Sequence, residues 1–388
     1  MTRIKADFLR DPGLQRIMAM LEGAGHQALV VGGAVRNALM GQAVSDVDLA
    51  SDARPEQVAA LAHAAGLRVI PTGIDHGTVT VLSDDAAYEI TTFRRDVDTD
   101  GRHASVAYST DMAEDARRRD FTMNALYARA DGTVLDPVGG LPDLRARRLR
   151  FVGDPRVRIA EDYLRILRFF RFHAWYGTPG KADRQALAAI ADLTPGMARL
   201  SRERIGAEMR KLLSAPDPCD ALALMKGCGV LAQVLPGADA ALLPALIAAE
   251  RRFAEAPDWL LRLAALGGED PRRDLRLSNA EDHELRALQQ HAGTPLHAAA
   301  YRLGPHMARR LALLRLAGGA QLPDDWETTI ARAGTARFPL QAADLMPAIT
   351  GPALGHALRA AEDHWIDGGF RASREELATV ARKAQGKE

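Results

Sequence analysis

Hydrophobic residues change their spacing several times within the first hundred residues. They recur every three or four positions over Pro12 to Gly23, which predicts an amphipathic helix, and they form a continuous run over Ala28 to Val31, which predicts a buried strand. A second helix is predicted from Ala34 to Met40 and ends at Gly41, because glycine is favoured just after a helix. A strand, a helix and three more strands follow in the segments "VSDVDLA", "PEQVAALAHAAG", "LRVIP", "GTVTVL" and "AYEITTF". This alternation predicts a mixed α/β domain.

The pattern changes after about Phe151, where the strand signal stops. The rest of the chain has helical spacing, is rich in Ala, Leu, Arg and Glu, and is interrupted at segments such as "LGGEDPRRD" and "AGGAQLPDD". We therefore predict an all-helical remainder in several pieces. Within the first part, Arg94 to Asp111 is polar and has no pattern, which predicts a mobile loop beside the sheet.

Composition places the chain among soluble globular proteins, with 47% hydrophobic and 26% charged residues in a total of 388. No apolar run is long enough to span a bilayer. The first residues lack the apolar core and cleavage site of a secretory signal. The two cysteines, Cys219 and Cys228, suit a reducing compartment. We expect a cytoplasmic protein without a membrane partner.

Charge is balanced over the whole chain but not locally. The formal net charge is zero, whereas the segment from Asp143 to Arg171 contains nine arginines and four acids. Such a cluster favours the binding of a polyanion. A solvated, arginine-rich surface is an equally good interpretation of the composition alone.

Three carboxylates are candidates for a metal site. Asp46 and Asp48 are two residues apart in a predicted strand, so their side chains share a face, and carboxylates side by side repel unless a cation lies between them. Mg²⁺, which favours carboxylates and substrate phosphates, is the natural occupant, and paired ions of this kind catalyse phosphoryl transfer. Glu89, on a strand that could lie beside the first, would add a third acid. Solvated acids at strand ends are the alternative interpretation of each.

The glycine pair Gly32–Gly33 precedes a predicted helix and is a candidate phosphate site. Backbone N–H groups at a helix start favour an anion, glycine allows close approach, and Arg36 adds a fork of donors. The segment is neither a Walker A loop nor a dinucleotide-binding fingerprint, because the lysine and the third glycine are missing.

These features together resemble a known family. The segment "GGAVRNALMGQAVSDVDLA" is similar to the nucleotidyltransferase motif of the DNA polymerase β superfamily, in the form found in class II CCA-adding tRNA nucleotidyltransferases and bacterial poly(A) polymerases. Four further motifs follow in the family's order: "RRRDFTMNALYA", "DPVGGLPDLRARRLRFVG", "EDYLRILRFFRF" and "SRERIGAEMRKLL". One position departs from the pattern: Asn37 stands where the family often has aspartate, which puts a salt bridge at that point in doubt.

The resemblance implies an α+β head domain with a mixed, polymerase-β-like sheet, followed by an all-α neck, body and tail. We expect the catalytic head over residues 1–150 and the neck, with a nucleotide-selecting helix, over 151–218. The body is expected over 219–330 and a tRNA-binding tail over 331–388.

A set of charged residues three positions apart is predicted to lie along one ridge of a helix: Asp162, Arg165, Arg168 and Arg171. The resemblance implies that Asp162 and Arg165 select the incoming base by hydrogen bonds, while Arg168 and Arg171 hold the nucleotide or orient the selecting residues. It also places Arg119 at the nucleotide.

Two other motifs are interpreted as structural. Asp120 and Asn124, four residues apart, are expected to brace a helix start. The segment "SRERIGAEMRKLL" is expected to form a capped amphipathic helix that acts as scaffold.

The implied activity is template-independent addition of C, C and A to tRNA 3′ ends from CTP and ATP. Asp46, Asp48 and Glu89 would be catalytic, with Asp46 and Asp48 as magnesium ligands, and Gly32, Gly33 and Arg36 would bind the triphosphate. A poly(A) polymerase or a partial CC- or A-adding enzyme is the nearest alternative. An inactive nucleotide- or RNA-binding protein is the alternative from another class.

Overall fold

All the strands that the structure describes lie in the first of two compact units. The computed structural model describes residues 2–70, 73, 77–83, 86–99 and 104–384. Contacts divide the chain into the units Met1–Pro236 and Gly237–Glu388. The four-part division into head, neck, body and tail stays a prediction.

The first unit contains a mixed seven-stranded sheet in the order β3-β4-β5-β2-β1-β8-β9. Strands β2 and β5 pair in parallel, and every other neighbouring pair is antiparallel. The strands of the sheet are β1 (Ala28–Val31), β2 (Asp48–Ser51), β3 (Arg68–Ile70), β4 (Thr78–Ser83), β5 (Ala86–Thr92), β8 (Tyr127–Ala128) and β9 (Val134–Leu135). All five strands predicted from hydrophobic spacing are present, although β2 begins later than predicted. Strands β8 and β9 were not predicted, because two residues are too few to show alternation.

The segment predicted to be a loop forms a hairpin instead. Strands β6 (Arg94–Thr99) and β7 (Ala104–Tyr108) pair antiparallel, from Arg94 opposite Tyr108 to Thr99 opposite Ala104. A register irregularity lies between Asp96 and Asp98. The loop prediction was wrong for these two strands because a two-stranded ribbon needs no buried face, so its sequence carries little hydrophobic alternation. Residues 100–103 lie outside the described part of the chain.

Helices surround the sheet and fill the remainder of the first unit. They are α1 (Pro12–Gly23), α2 (Gly33–Leu39), α3 (Pro55–Ala64), α4 (Met112–Arg117), α5 (Gly140–Arg145), α6 (Pro155–Glu161), α7 (Leu164–Tyr176), α8 (Arg184–Leu193), α9 (Arg202–Leu213), α10 (Cys219–Gly227) and α11 (Val230–Val234). Helix α1 illustrates why they form: Pro12 opens it, the Asp11 carboxylate accepts the Leu14 N–H at 2.8 Å, and its apolar stripe is buried.

An aromatic cluster anchors α7 to the segment that follows α4. Phe121 lies 5.0 Å from Phe151, 6.2 Å from Phe169 and 5.3 Å from Phe172 between ring centroids. All four side chains are buried. Burying such rings contributes a large share of core stability, so the position of α7 is fixed relative to residues 118–124.

The regular elements that the structure describes in the second unit are helices, as predicted. Its helices are α12 (Leu243–Arg252), α13 (Trp259–Leu266), α14 (Pro271–Asp274), α15 (Asn279–Gln290), α16 (Leu296–Leu303), α17 (Pro305–Ala317), α18 (Trp326–Thr335), α19 (Pro352–Asp367) and α20 (Arg374–Ala384). An apolar core around Trp365 and Leu377 holds the last two together. Nowhere in the described ranges is a helix long and apolar enough to cross a membrane.

A fully buried ion pair lies inside the second unit. The Arg262 guanidinium donates to Glu250, with Nη2 at 2.6 Å and Nε at 3.1 Å from the carboxylate oxygens. Both side chains are at most 3% exposed. Removing one partner of such a pair is costly, because the other charge stays buried.

We expect Glu250→Gln to lower the free energy of unfolding of the second unit by about 3–5 kcal/mol. The control is Glu255→Gln, which breaks a half-exposed contact with Arg309 and costs about 1 kcal/mol or less. Urea unfolding followed by tryptophan fluorescence measures both, since three of the four tryptophans lie in this unit. Equal effects of the two variants would contradict the assignment.

Candidate functional site

Two of the three predicted carboxylates lie on adjacent strands. Leu49 of β2 pairs with Ile90 of β5, so Asp48 and Glu89, one residue earlier on each strand, lie side by side. Glu89 is exposed while its neighbours Tyr88 and Ile90 are buried, which is the orientation that alternation predicted. The structure thus brings Asp48 and Glu89 together on two central strands of the sheet.

Asp46 lies just before the strand rather than within it. Strand β2 begins at Asp48, and the prediction of a strand through the whole segment "VSDVDLA" was wrong for its first four residues. Asp46 is exposed and its carboxylate accepts a hydrogen bond from the Ser45 hydroxyl at 2.9 Å. Its position relative to Asp48 is therefore set by extended coil and not by a ladder of strand hydrogen bonds.

Electrostatic repulsion acts on Asp48. Partial burial of the carboxyl group, followed by the charges of Glu89 and then Asp46, raises the pKa of Asp48 above its ordinary value, and the nearby Arg119 guanidinium opposes the shift. A divalent cation bound beside Asp48 would remove this repulsion between the carboxylates. Across the described residues, no group of three or more His, Cys, Asp or Glu side chains converges closely enough to hold a metal ion.

Gly32 provides a tight turn between β1 and α2. Its backbone has φ 70° and ψ −119°, a conformation that residues with a Cβ rarely adopt, and its N–H donates to the Leu126 carbonyl at 3.1 Å. A methyl group at this position would lie 3.5 Å from Nη1 of Arg119. The turn therefore brings the predicted glycine pair next to one predicted nucleotide-binding arginine.

Arg36 is buried and its donors point into the protein. Nη1 donates to Asn124 at 2.6 Å and Nη2 to the Tyr176 hydroxyl at 2.7 Å, while the guanidinium carbon lies 3.9 Å from the Tyr176 ring centroid. Burial lowers the pKa of Arg36 below its ordinary value. In this structure Arg36 joins α2 to α7, and its predicted contact with a triphosphate stays a prediction.

Asn37 takes a role that aspartate could fill only in part. Its amide oxygen accepts from Nε and Nη2 of Arg36 at 3.1 and 2.9 Å, and its amide nitrogen donates to the Ala43 carbonyl at 2.9 Å. The asparagine thus keeps the contact with Arg36 and adds a bond to the coil that leads to Asp46. Aspartate would strengthen the first contact and lose the second.

Arg119 is held along one edge of its guanidinium by two residues. Nε and Nη2 donate to the Asp115 carboxylate at 3.2 and 3.0 Å, and Nε also donates to the Tyr127 hydroxyl at 3.1 Å. Its side chain is 20% exposed. The group facing Gly32 is Nη1.

Asp120 braces the segment after α4, where a short 3-10 turn (Thr122–Asn124) stands in place of the predicted helix start, and it also binds α7. Its carboxylate accepts from the Phe121 N–H at 2.8 Å and from the Asn124 amide at 3.1 Å. Nε and Nη2 of Arg168 donate to its other oxygen at 2.8 and 2.5 Å. Burial alone would raise the pKa of Asp120, but Arg168 and these hydrogen bonds hold it below its ordinary value.

The predicted ridge of four charged residues is interrupted at its first member. Helix α7 begins at Leu164, and Asp162 lies before it in extended conformation, where its carboxylate accepts the Leu164 N–H at 3.0 Å. Its second oxygen accepts from Arg204 at 2.7 Å. Aspartate favours such a position at a helix start, so placing Asp162 on the helix itself was wrong.

The remaining arginines of α7 are paired with acids. Arg165 donates to Glu161 and, at 2.7 Å, to the Arg158 carbonyl. Arg171 donates to Glu208 of α9 at 2.6 Å. Helix α9 is capped by Ser201 and amphipathic, as predicted. The roles assigned to Asp162, Arg165, Arg168 and Arg171 in nucleotide binding stay predictions.

Several side chains that contact the predicted site were missed from the sequence, among them Asp115, Tyr176 and Glu208. Asp115 could have been found, because it precedes Arg119 by four residues, the spacing of an ion pair on a helix. Tyr176 and Glu208 make contacts distant in sequence, with Arg36 and Arg171, and have no local signal.

Comparisons with known proteins agree with these motifs. Residues 28–150 match the family described as the poly A polymerase head domain. Residues 181–242 match the family described as a probable RNA and SrmB-binding site of polymerase A.

Individual relatives extend the match over most of the chain. The mitochondrial CCA tRNA nucleotidyltransferase 1 of Mus musculus is 43% identical over 204 residues, which are 52% of this chain and 47% of that protein. The Danio rerio protein of the same name is 32% identical over 379 residues, 90% of this chain and 86% of that one. The crystal structure of the Bacillus stearothermophilus CCA-adding enzyme in complex with CTP superposes with a TM-score of 0.75 at 30% identity, covering 96% of this chain and 98% of that one.

We expect Arg36→Lys to lower the free energy of unfolding by about 1–3 kcal/mol, because lysine cannot reproduce the bonds to Asn37, Asn124 and Tyr176 together. Tyr176→Phe, which removes one of these bonds, is expected to cost about 1 kcal/mol. Chemical denaturation measures both. Unchanged stability of Arg36→Lys combined with lost nucleotide binding would contradict the structural role.

The raised pKa of Asp48 has a defined effect on stability. The protonated carboxyl group of Asp48 stabilises the folded state. This stabilisation is complete below the unfolded-state pKa of about 3.9 and is lost as the pH rises through the folded-state pKa. At neutral pH and in the presence of EDTA, Asp48→Asn is therefore expected to melt at a higher temperature than the wild type. Glu22→Gln, an exposed change on α1, is the control and should leave the melting temperature unchanged. A lower melting temperature of Asp48→Asn would contradict the repulsion.

Proposed function

Because the chain belongs to the family of CCA-adding tRNA nucleotidyltransferases, we propose that it adds C, C and A to tRNA 3′ ends from CTP and ATP. The observation that carries the proposal is the pairing of Asp48 with Glu89 on adjacent strands, next to a glycine turn that faces Arg119. Nucleotidyl transfer uses acids that hold metal ions and a backbone turn that a phosphate can approach closely, and this arrangement provides both.

In the proposed reaction the tRNA 3′-hydroxyl attacks the α-phosphate of the nucleotide, and pyrophosphate leaves. Asp46 and Asp48 would hold divalent ions, which this family uses, and Mg²⁺ is the ion we propose. Asp46 and Asp48 would supply carboxylate oxygens, the ligands that Mg²⁺ prefers, and the phosphates of the substrate would complete the coordination. A bound ion supplies charge neutralisation and lowers the pKa of the attacking hydroxyl. Glu89 assists from the neighbouring strand as an acceptor for the hydroxyl proton.

Residues on either side of the carboxylates would bind the nucleotide. Gly32 and Gly33 allow the triphosphate to approach the backbone, and Arg119 donates to it from Nη1. Asp162 and Arg165 would select the base by accepting from the exocyclic amine shared by cytosine and adenine and donating to the neighbouring ring acceptor. In this structure Asp162 binds Arg204 and Arg165 binds Glu161, so selection requires each residue to exchange its partner for the base.

The helical parts of the chain would hold the tRNA acceptor arm, mostly through phosphates, so binding should weaken steeply with salt. We propose the division into a head (1–150), neck (151–218), body (219–330) and tail (331–388). A content of only two cysteines supports the cytoplasm as the proposed compartment.

One assay separates the proposed activity from its alternatives. tRNA transcripts that end before, within and after CC are offered with each nucleotide in turn, and the products are sequenced. Ordered addition of C, C and A that stops by itself supports the proposal. Long A-tails indicate a poly(A) polymerase, a single added base type indicates a partial enzyme, and no product indicates an inactive binding protein.

We expect Asp46→Ala to reduce nucleotide addition by about 10³-fold or more, which corresponds to roughly 4 kcal/mol of lost transition-state stabilisation. The fold and tRNA binding should be unchanged, as measured by thermal melting and gel shift. Glu56→Gln, an exposed change on α3, serves as the control for activity. Retained activity of Asp46→Ala would contradict its role as a metal ligand.

A further inference from the structure

We infer that Asp115 is a positioning residue that fixes the guanidinium of Arg119 so that Nη1 faces the nucleotide site at Gly32. The inference rests on the proposed function, because it takes Arg119 as a nucleotide ligand. It assigns to Asp115 a role in nucleotide binding without contact with the nucleotide.

The first observation is the pattern of contacts on Arg119. Nε and Nη2, which form one edge of the guanidinium, both donate to the same Asp115 oxygen at 3.2 and 3.0 Å. The remaining nitrogen, Nη1, is the one that lies 3.5 Å from the point where a Cβ of Gly32 would be. Since the guanidinium is planar and rigid, binding one edge to Asp115 determines where the opposite nitrogen points.

The second observation is a hydroxyl that locks the pair. Tyr127 donates its hydroxyl proton to the same Asp115 oxygen at 2.7 Å and accepts from Nε of Arg119 at 3.1 Å. Burial raises the pKa of Tyr127, so the phenol stays neutral and keeps this proton. The Arg119 guanidinium also lies 5.3 Å from the Tyr127 ring centroid. The Asp115 carboxylate, the Tyr127 hydroxyl and the Tyr127 ring therefore fix one orientation of the Arg119 guanidinium.

The third observation is the burial and charge of Asp115 itself. Its side chain is 1% exposed, and loss of solvation would raise its pKa, but Arg119, Arg118 and Tyr127 together lower it. The carboxylate is thus ionised at neutral pH and cannot exchange its partners for water. An arginine held by a buried charge loses less conformational entropy when it binds a phosphate.

Arg118 offers a matched control, because it binds the same Asp115 carboxylate. Nε of Arg118 donates to the other Asp115 oxygen at 2.9 Å, and this side chain makes no described contact with Gly32 or Tyr127. The Arg94 backbone N–H, at the start of the hairpin, also reaches this second oxygen at 3.4 Å. One Asp115 oxygen thus binds Arg119, and the other binds Arg118 and the backbone at the start of the hairpin.

The experiment is a double-mutant cycle on nucleotide affinity. Dissociation constants for CTP and ATP are measured by equilibrium dialysis on the full chain without RNA, for Asp115→Asn, Arg119→Gln and the double variant. We expect Asp115→Asn to weaken binding about tenfold, and to have no further effect once Arg119 is Gln. Additive effects of the two substitutions would overturn the inference.

Arg118→Gln and Tyr127→Phe complete the test. Arg118→Gln should leave nucleotide affinity within about twofold of the wild type, whereas Tyr127→Phe should weaken it by a few-fold and retain the fold even if Asp115→Asn unfolds. Loss of affinity in Arg118→Gln equal to that in Tyr127→Phe would overturn the inference in favour of a general structural role.

Failure of the proposed function gives a different result. If the wild type binds neither nucleotide, or if Arg119→Gln leaves both dissociation constants unchanged, then Arg119 is not a nucleotide ligand and the premise fails. If the wild type adds C, C and A and Arg119→Gln weakens binding, but Asp115→Asn and Tyr127→Phe do not, only the inference about Asp115 fails.

Discussion

The hydrogen bonds and ion pair of the buried Asp120 carboxylate hold together the segment after α4, α2 and α7, which carry the candidate site. Taking a carboxylate out of water is costly unless hydrogen bonds and a counter-charge compensate, and here Phe121, Asn124 and Arg168 supply them. Asn124 then directs its own oxygen to Arg36. A single desolvated charge therefore aligns the segment after α4, the glycine turn at the start of α2, and α7.

Charge in this region is compensated over long distances in sequence. The arginine-rich segment from Asp143 to Arg171 has a local excess of positive charge, yet Arg156, Arg168 and Arg171 pair with Asp192, Asp120 and Glu208, one of them before the segment and two beyond it. Three of the nine arginines are thus paired with acids outside the segment, in contacts that belong to the fold. The carboxylates around the start of β2 show the reverse: burial, and then the charges of Glu89 and Asp46, raise the pKa of Asp48, and the Arg119 guanidinium opposes the shift only in part. A surplus of negative charge thus remains at the start of β2, where a cation could bind.

Much of the first unit could be predicted from local patterns. Hydrophobic spacing identified the strands of the sheet except the two shortest, and alternation around Glu89 gave its exposed orientation beside Asp48. What could not be predicted depends on contacts across the chain. The hairpin at Arg94 pairs two polar segments that show no hydrophobic alternation, and Asp162 sits before its helix because it both caps that helix and binds Arg204. The sequence spacing alone is compatible with either placement.

The stacking of Arg36 between α2 and α7 has a consequence for protein engineering. Its guanidinium lies against the rings of Tyr176 and Phe172 and donates to Asn124, so a boundary drawn between a catalytic and a helical part cuts through one interlocked set of side chains. A chimera that transplants the sheet onto a foreign helical half would have to carry the aromatic pair with it. Recombination among relatives should therefore succeed at breakpoints beyond Tyr176 more often than at the end of the sheet.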